Sequence, residues 1–353
     1  MPRVSVVVVS WNGRALLERF LPGVVAHSPD AEILVVDNGS DDDSVAWLGA
    51  HLPTVKVLAL AENRGFCGGN NAGLAAASGA YVVFLNNDVE TTPGWLDPLV
   101  AHLDAHPGVA AVQPKLLQLD ERTRFDYAGA AGGFLDRHGF PFTRGRLFAT
   151  MEADHGQYDA PRRIFWASGA ALVLRRAALL PGEPAFDERF FMHMEELDLC
   201  WRLQRRGHAV WAVPTSRVFH LGGASLPKGA RKTRLNYRNN LLMLYRHLSP
   251  RAWRRLLPQR LALDALAAAR ALAAGQPGEA RAIAAAYAEA FRMLRTFAAD
   301  RPERDDPSVF PPYRGSVVLD YFGRRRRHFS DLPEADFWPH AALPSGTSAT
   351  STP

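Results

Sequence analysis

Val4-Ser5-Val6-Val7-Val8-Val9-Ser10-Trp11-Asn12 is the stretch that decides the fold. A nearly unbroken β-branched run is the pattern of a strand covered on both faces, as in a parallel sheet sandwiched by helices. The change from Val9 to Ser10-Trp11-Asn12 marks the carboxyl end of that strand. Further apolar runs follow at 32–36, 55–60, 80–85 and 109–112, with helix-like segments at 14–27, 44–51, 69–78 and 93–106 between them. This alternation predicts an α/β fold with a mainly parallel sheet and helices on both faces. Asp41 to Asp43 precede the second helix, where acids suit the positive end of the helix dipole.

The rest of the chain is read outward from this core. Residues 116–163 are Gly- and aromatic-rich and suggest loops and short strands; 170–174 reads as another strand. Residues 195–206 form an amphipathic helix ended by Gly207, and 209–213 a further short strand. Residues 228–260 are basic with interleaved Tyr237, Tyr245 and Trp253, and 259–299 are Ala-rich with a break near 275–278, which suggests a helical hairpin. The Ser/Thr/Pro tail from Pro344 is expected to be disordered.

Composition narrows the classes. With 353 residues, 47% hydrophobic and 22% charged, the chain is ordinary globular material of about two domains. Cys67 and Cys200 have no metal-ligand spacing, which excludes a zinc ribbon, and two cysteines exclude a disulfide scaffold. The net charge of +5 favours anionic partners: phosphates, nucleic acid or a membrane surface. The N-terminal segment lacks the pattern of a signal peptide. The longest apolar stretch elsewhere, 261–274, is interrupted by Asp264 and Arg270 and is shorter than the ~20 residues of a membrane span. The expectation is a cytoplasmic protein, peripheral on the inner face of the membrane.

Ligands of open α/β sheets bind beyond the carboxyl ends of the strands. Polar residues follow four of the predicted strands: Ser10-Trp11-Asn12, Asp37-Asn38-Gly39-Ser40, the 63–71 loop, and Asn86-Asn87-Asp88. Each alone also reads as turn chemistry; four converging on one edge point to a polar ligand. The 63–71 loop is Gly-rich and opens a helix, so its backbone N–H groups can hold a pyrophosphate. It lacks G-x-G-x-x-G and is no dinucleotide fingerprint. Asp88 either ends a simple turn or helps hold a hard cation that bridges a diphosphate.

Glu195, Glu196 and Asp198 fall within four residues at a helix start. Such crowding is costly unless a dipole, a cation or a catalytic duty compensates it. Solvated helix-start acids are the plain alternative, and the flanking Phe190, Phe191 and Met192 argue against it. His220 follows the last short strand, as a structural histidine or a metal ligand.

The ordered set of residues 6–12, 36–40, 63–71, 84–88, 168–170 and 195–202 resembles the family 2 glycosyltransferases, most closely the bacterial rhamnosyltransferase and galactofuranosyltransferase-like branch, over about 3–225. The resemblance implies a GT-A fold, that is, a Rossmann-like nucleotide-diphospho-sugar transferase domain, followed here by a C-terminal helical region. With the composition change after Ser225, the expected division is a catalytic domain over 1–225 (nucleotide-binding part about 1–115, acceptor side about 116–225), a basic, Ala-rich helical region over 226–300 and a loop-rich tail over 301–353. The resemblance also implies a UDP-, dTDP- or GDP-linked sugar donor, Mn²⁺ or Mg²⁺, and inversion at the anomeric carbon. By position, Ser10, Trp11, Asn12 and Asp37 would hold the base and ribose. Asn63, Arg64, Gly65, Gly68, Asn70 and Asn71 would line the nucleotide, with Asn86, Asn87, Ser168 and Gly169 nearby. Asp88 and His220 would bind the metal. Glu196 would be the base, with Glu195 and Asp198 in support. Two positions depart from the family pattern: the DxD-like motif is Asn-Asn-Asp, and the base position is Glu where Asp is usual.

The expected acceptor is a glycan or a lipid-linked sugar in envelope or exopolysaccharide synthesis, with an anionic membrane surface as a further partner and no nucleic acid. A silent nucleotide-sugar-binding module is the competing reading, opposed by the intact acidic cluster. A sugar nucleotidyltransferase would need a basic Gly-rich loop after the first strand, where Trp11-Asn12-Gly13 stands.

Overall fold

Alternation along the first strand divides the core into two layers. Val6 and Val8 enter one cluster with Leu17, Leu21 and Trp47, whereas Val7 enters another with Cys67, Leu74 and Phe84. Side chains of successive strand residues point to opposite faces, so a strand apolar throughout serves both. The computed structural model describes residues 3–222 and 229–338. The tail expected to be disordered and most of the loop after His220 lie outside the described residues.

The strands in chain order are β1 (Val4–Ser10), β2 (Glu32–Asp37), β3 (Lys56–Ala59), β4 (Tyr81–Asn86), β5 (Val89–Thr91), β6 (Val109–Gln118), β7 (Gly133–Leu135), β8 (Pro141–Thr143), β9 (Arg146–Leu147), β10 (Thr150–Met151), β11 (Arg162–Ile164), β12 (Ala171–Arg175) and β13 (Ala209–His220). The helices are α1 (Arg14–Ala26), α2 (Ser44–His51), α3 (Gly65–Ala76), α4 (Asp97–Ala105), α5 (Glu195–Arg205), α6 (Ala230–His247), α7 (Pro250–Ala273) and α8 (Pro277–Met293).

The central sheet runs β11-β13-β6-β12-β4-β1-β2-β3, with β5 added to β13. The β3-β2-β1-β4 block and the β6-β13 pair are parallel. β12 lies antiparallel between β4 and β6 and joins the two blocks. The parallel strands therefore deliver Ser10, Asp37, Asn86, Gln118 and His220 to one edge. β7 to β10 form a separate small antiparallel sheet.

Two elements are longer than the apolar pattern predicts. β13 continues past Val213 to His220, through an irregularity in its pairing with β6 between Ala212 and Arg217. Pro214 to Arg217 hide it in the sequence, yet the strand resumes and also pairs with β5. β6 continues to Gln118 because the ammonium of Lys115, fully buried, is neutralised by Asp154 at 2.8 Å and by Asp159. The fourth helix starts at Asp97, later than the 93–106 pattern suggests.

The break near 275–278 does separate two helices, α7 and α8. Residues 301–338 pack on the small sheet: Phe134, Phe142, Tyr313, Phe329 and Phe337 share one aromatic cluster. Among the described residues no helix is long and apolar enough to cross a membrane.

Candidate active site

The β1 and β2 ends are knitted together. The backbone N–H of Asn12 donates to Ser40 Oγ at 2.9 Å, and Asn12 Oδ1 accepts from the Asp41 N–H at 2.8 Å. Gly39, at φ +73°, passes so close to Glu62 that a Cβ would lie 2.6 Å from its backbone; only glycine fits. Asn38 ties this turn to the next loop, accepting from the Arg64 N–H and donating to Asn63 Oδ1 and the Gly65 carbonyl. Asn87 donates to Ser10 Oγ at 3.0 Å. The structure therefore brings together three of the four predicted strand ends by direct contact, and Asn87 adds the fourth.

Within this rim, Asp37 is buried. One oxygen accepts from the Ser40 N–H and Oδ1 has no partner. Trp11, at the end of β1, is 53% exposed. The Gly-rich segment opens α3, with Gly65, Gly68 and Asn70 buried in its first two turns. Other candidate residues are structural braces. Asn71 exchanges hydrogen bonds with the Phe186 backbone, Arg64 pairs with Glu188 at 3.0 Å, and Ser168 Oγ donates to the Ala128 carbonyl.

Asp88 and His220 meet. His220 Nε2 lies 3.1 Å from Asp88 Oδ1, and Nδ1 lies 3.0 Å from Asp126 Oδ2, with all three residues buried. Burial opposes the charged imidazole, but the two carboxylates outweigh it and raise the His220 pKa to about 10. Asn86 also reaches the ring, at 3.5 Å. Asp88 Oδ1 is in ion-pair range yet has no aligned hydrogen bond.

This arrangement fits a divalent cation. At 3.1 Å the two are an ion pair, and a divalent cation would take the place of the proton between them, which the Asp88 oxygen and the His220 nitrogen would then both ligate. A histidine whose other nitrogen faces a carboxylate is the usual form of a metal-ligating histidine. Among the described residues no group of three or more His, Cys, Asp or Glu side chains surrounds one point. Asp88 and His220 would thus supply two ligands, and phosphate and water the others.

Glu195 and Glu196 start α5 at the end of a strained loop. Phe191, His193 and Met194 all have φ between +66° and +72°, which is costly for residues with a side chain. The loop is held from outside. Asn239 Nδ2, on α6, donates to the carbonyls of Phe190, Met192 and His193 at 2.8–3.0 Å. Arg238 also donates to Phe190 O, and the Cys67 N–H to Phe191 O. Gly65, at φ +69°, leaves room for the Phe191 ring, which a Cβ would strike at 2.5 Å.

The three carboxylates have different fates. Asp198 is fully buried and bound by Arg202 at 3.0 Å, Arg246 at 2.9 Å and His247 at 2.9 Å. Burial works against its charge, but these partners hold its carboxyl well below the usual range. Glu195 and Glu196 have no side-chain partner, and each has one buried, unpaired oxygen. Burial pushes both upward, Glu196 to about 7, and the charge of Glu196 adds to the effect on Glu195. Glu196 is the more open of the two, and it faces Gly169, where a Cβ would sit 3.9 Å from its own Cβ. One member of the cluster is thus a locked anion and two are poised to exchange a proton.

Sequence reasoning missed Asp126, Arg238, Asn239, Arg246 and His247. The one signal was Asn239-Asn240 in the middle of an apolar helical pattern, since paired buried amides there require specific partners.

Residues 5–130 match the family model "Glycosyl transferase family 2". The N-acetylglucosaminyl-diphospho-decaprenol L-rhamnosyltransferase of Mycobacterium tuberculosis is 29% identical over 241 residues, covering 62% of this chain and 75% of that protein. The pre-mycofactocin glycosyltransferase of Mycobacterium tuberculosis is 31% identical over 224 residues, covering 62% of this chain but only 42% of that protein. GalNAc-T7, solved with UDP, GalNAc and Mn²⁺, superposes with a TM-score of 0.51 at 19% identity over 69% of this chain and 48% of that one, which shows a shared fold. With the polar strand ends and the acidic helix start in the expected order, residues 5–130 are a glycosyl transferase family 2 domain, and the chain has the GT-A fold.

Proposed function

We propose that the protein transfers a sugar from a nucleotide-diphosphate donor with inversion, using Glu196 as general base, onto a lipid-linked or glycan acceptor. The observation that carries this reading is the pair of unpaired, raised carboxylates at the start of α5, beside a locked Asp198. A carboxyl with a pKa near neutrality can take a proton and still be ionised at working pH.

In this reading the base and ribose lie between Trp11 and Asp37, whose unpaired Oδ1 accepts from the nucleoside. The diphosphate lies toward Asp88. A divalent cation held by Asp88 and His220 would neutralise the charge of the departing diphosphate. Asp126 fixes the His220 ring so that Nε2 faces Asp88. Glu196 takes the proton from the acceptor hydroxyl as its oxygen bonds to the anomeric carbon. The bond from that carbon to the diphosphate oxygen breaks, and the nucleoside diphosphate leaves.

The lipid-linked acceptor is suggested by the mycobacterial rhamnosyltransferase, whose name specifies a diphospho-decaprenol substrate. A place on the cytoplasmic membrane face fits α7, which exposes Leu261, Leu266 and Leu272 beyond the basic Arg251, Arg254 and Arg255 on the same side. The test is a transfer and hydrolysis assay of purified protein against UDP-, dTDP- and GDP-sugars, with and without Mn²⁺ or Mg²⁺. Metal-stimulated release of one nucleoside diphosphate supports the reading; binding without turnover across the panel would favour a silent module.

A further inference from the structure

A second concave site lies at the opposite end of α5 from the acidic pair. Glu196 and Arg205 are nine residues apart, about 13 Å along the helix. Around Arg205 opens a cavity of about 500 Å³, whose walls include Arg137, Arg205, Arg251, Arg255, Arg304 and His247. That volume is within the range of small-molecule pockets, roughly 300–1,000 Å³.

Charge on these walls is unbalanced. None of the five guanidiniums makes an ion pair with a described residue, whereas other arginines of α5 and α6, such as Arg202 and Arg246, are fully paired. The five guanidiniums thus share the cavity with two carboxylates, Asp305 and Asp306, an excess of cations. Asp305 accepts from the N–H and hydroxyl of Ser249, and Asp306 from those of Ser308. Burial and the neighbouring charge of Arg246 lower the Arg205 pKa, against the opposing pull of Asp198 and Asp306.

An independent observation comes from His247. It is fully buried, stacks on Trp201 at 4.6 Å, and gives Nε2 to Asp198, which leaves Nδ1 buried with no partner. With Nε2 bonded to Asp198 and the pKa lowered to about 4 by burial, the ring is neutral and Nδ1 is an acceptor, able to take a hydrogen bond from a protonated phosphate oxygen. Trp201 stacks in turn on Phe310, so the polar atom sits among rigid aromatic walls.

We propose that this cavity is a binding site for a phosphate group of two or more negative charges, separate from the catalytic cleft. Guanidiniums match phosphate oxygens in bidentate geometry, and several converging on one cavity select a multiply charged group over chloride or a carboxylate. The group belongs either to a free phosphorylated solute or to a phosphate-bearing lipid headgroup.

The test is calorimetric titration of the full chain with inorganic pyrophosphate in EDTA. The wild type should bind with a salt-sensitive affinity. Arg251→Glu/Arg255→Glu should weaken binding at least tenfold, and Arg304→Glu should weaken it separately, each with an unchanged melting temperature. Arg281→Glu/Arg292→Glu on α8 makes the same charge change away from the cavity and should leave affinity within twofold. Flotation with phosphatidylcholine vesicles that contain phosphatidate separates the sources: recruitment that pyrophosphate competes away assigns a headgroup, and no recruitment assigns a free solute. Equal weakening by both double variants would reduce the effect to general electrostatics and overturn the proposal, as would undiminished binding in Arg251→Glu/Arg255→Glu.

Discussion

The carboxylates beside His220 and those at the start of α5 are compensated in opposite ways. Asp88 and Asp126 both face the imidazole of His220, whose charged form they favour. Among the described residues no cation pairs with Glu195 or Glu196, and burial outweighs the nearby backbone N–H groups, so the neutral form gains. Three residues along, Asp198 behaves like the first pair, bound by two arginines and a histidine. Burial alone therefore does not set the role of an acid; the partner does.

Substitutions should separate these roles. The largest effect is expected from Glu196→Gln, which keeps the shape and removes the base. Turnover should fall about 10²–10⁴-fold with donor affinity nearly unchanged, as read by steady-state kinetics and nucleotide titration. Asp198→Asn should do the reverse in kind. It leaves Arg202 and Arg246 facing a neutral group in the interior, so denaturant unfolding should show a loss of about 3–5 kcal/mol. If Asp198→Asn is fully stable yet inactive, the roles of the two acids have been exchanged.

Beside His220, Asp88→Ala should abolish the gain in donor-diphosphate affinity produced by Mn²⁺, and His220→Ala should reduce it in part. The lost charge-assisted contact is worth about 1.5–3 kcal/mol. Titration of UDP and GDP with and without metal checks this, and an affinity indifferent to EDTA would remove the metal from the account. Asn239→Ala should have the smallest effect, about tenfold on turnover with little change in donor binding, because it frees the 190–193 carbonyls without touching substrate. Asn239→Asp, which exchanges the donor for an acceptor, should not rescue it.

Much of the polar strand-end rim was legible in the sequence, for a physical reason. Parallel strands buried on both faces read as apolar runs, and the polar residue that follows each run lands on the ligand edge. Ser10, Asp37 and Asn86 are found that way. The true extent of β13 was not legible, because Pro214 to Arg217 break the pattern while the ladder resumes around them. His220 was noticed, but its link to Asp126 spans 94 residues and depends on the fold. β7 to β10, of two or three residues each, carry too little periodicity to be read; their aromatic cluster forms only when Phe329 and Phe337 arrive from the far end of the chain. The sequence shows 228–260 only as basic with interleaved aromatics, yet within it Asn239 and Arg246 point inward and brace the acidic helix start.

The pH dependence of kcat tests the central claim most directly. A carboxyl with a pKa of about 7 is mostly protonated near pH 6 and mostly ionised near pH 8, and only the ionised form accepts the acceptor's proton. The wild type should therefore gain rate as pH rises through about 7, and Glu196→Gln should lose that limb while still binding donor. A limb that survives in Glu196→Gln, or one that Glu195→Gln alone removes, would contradict the assignment of the base to Glu196.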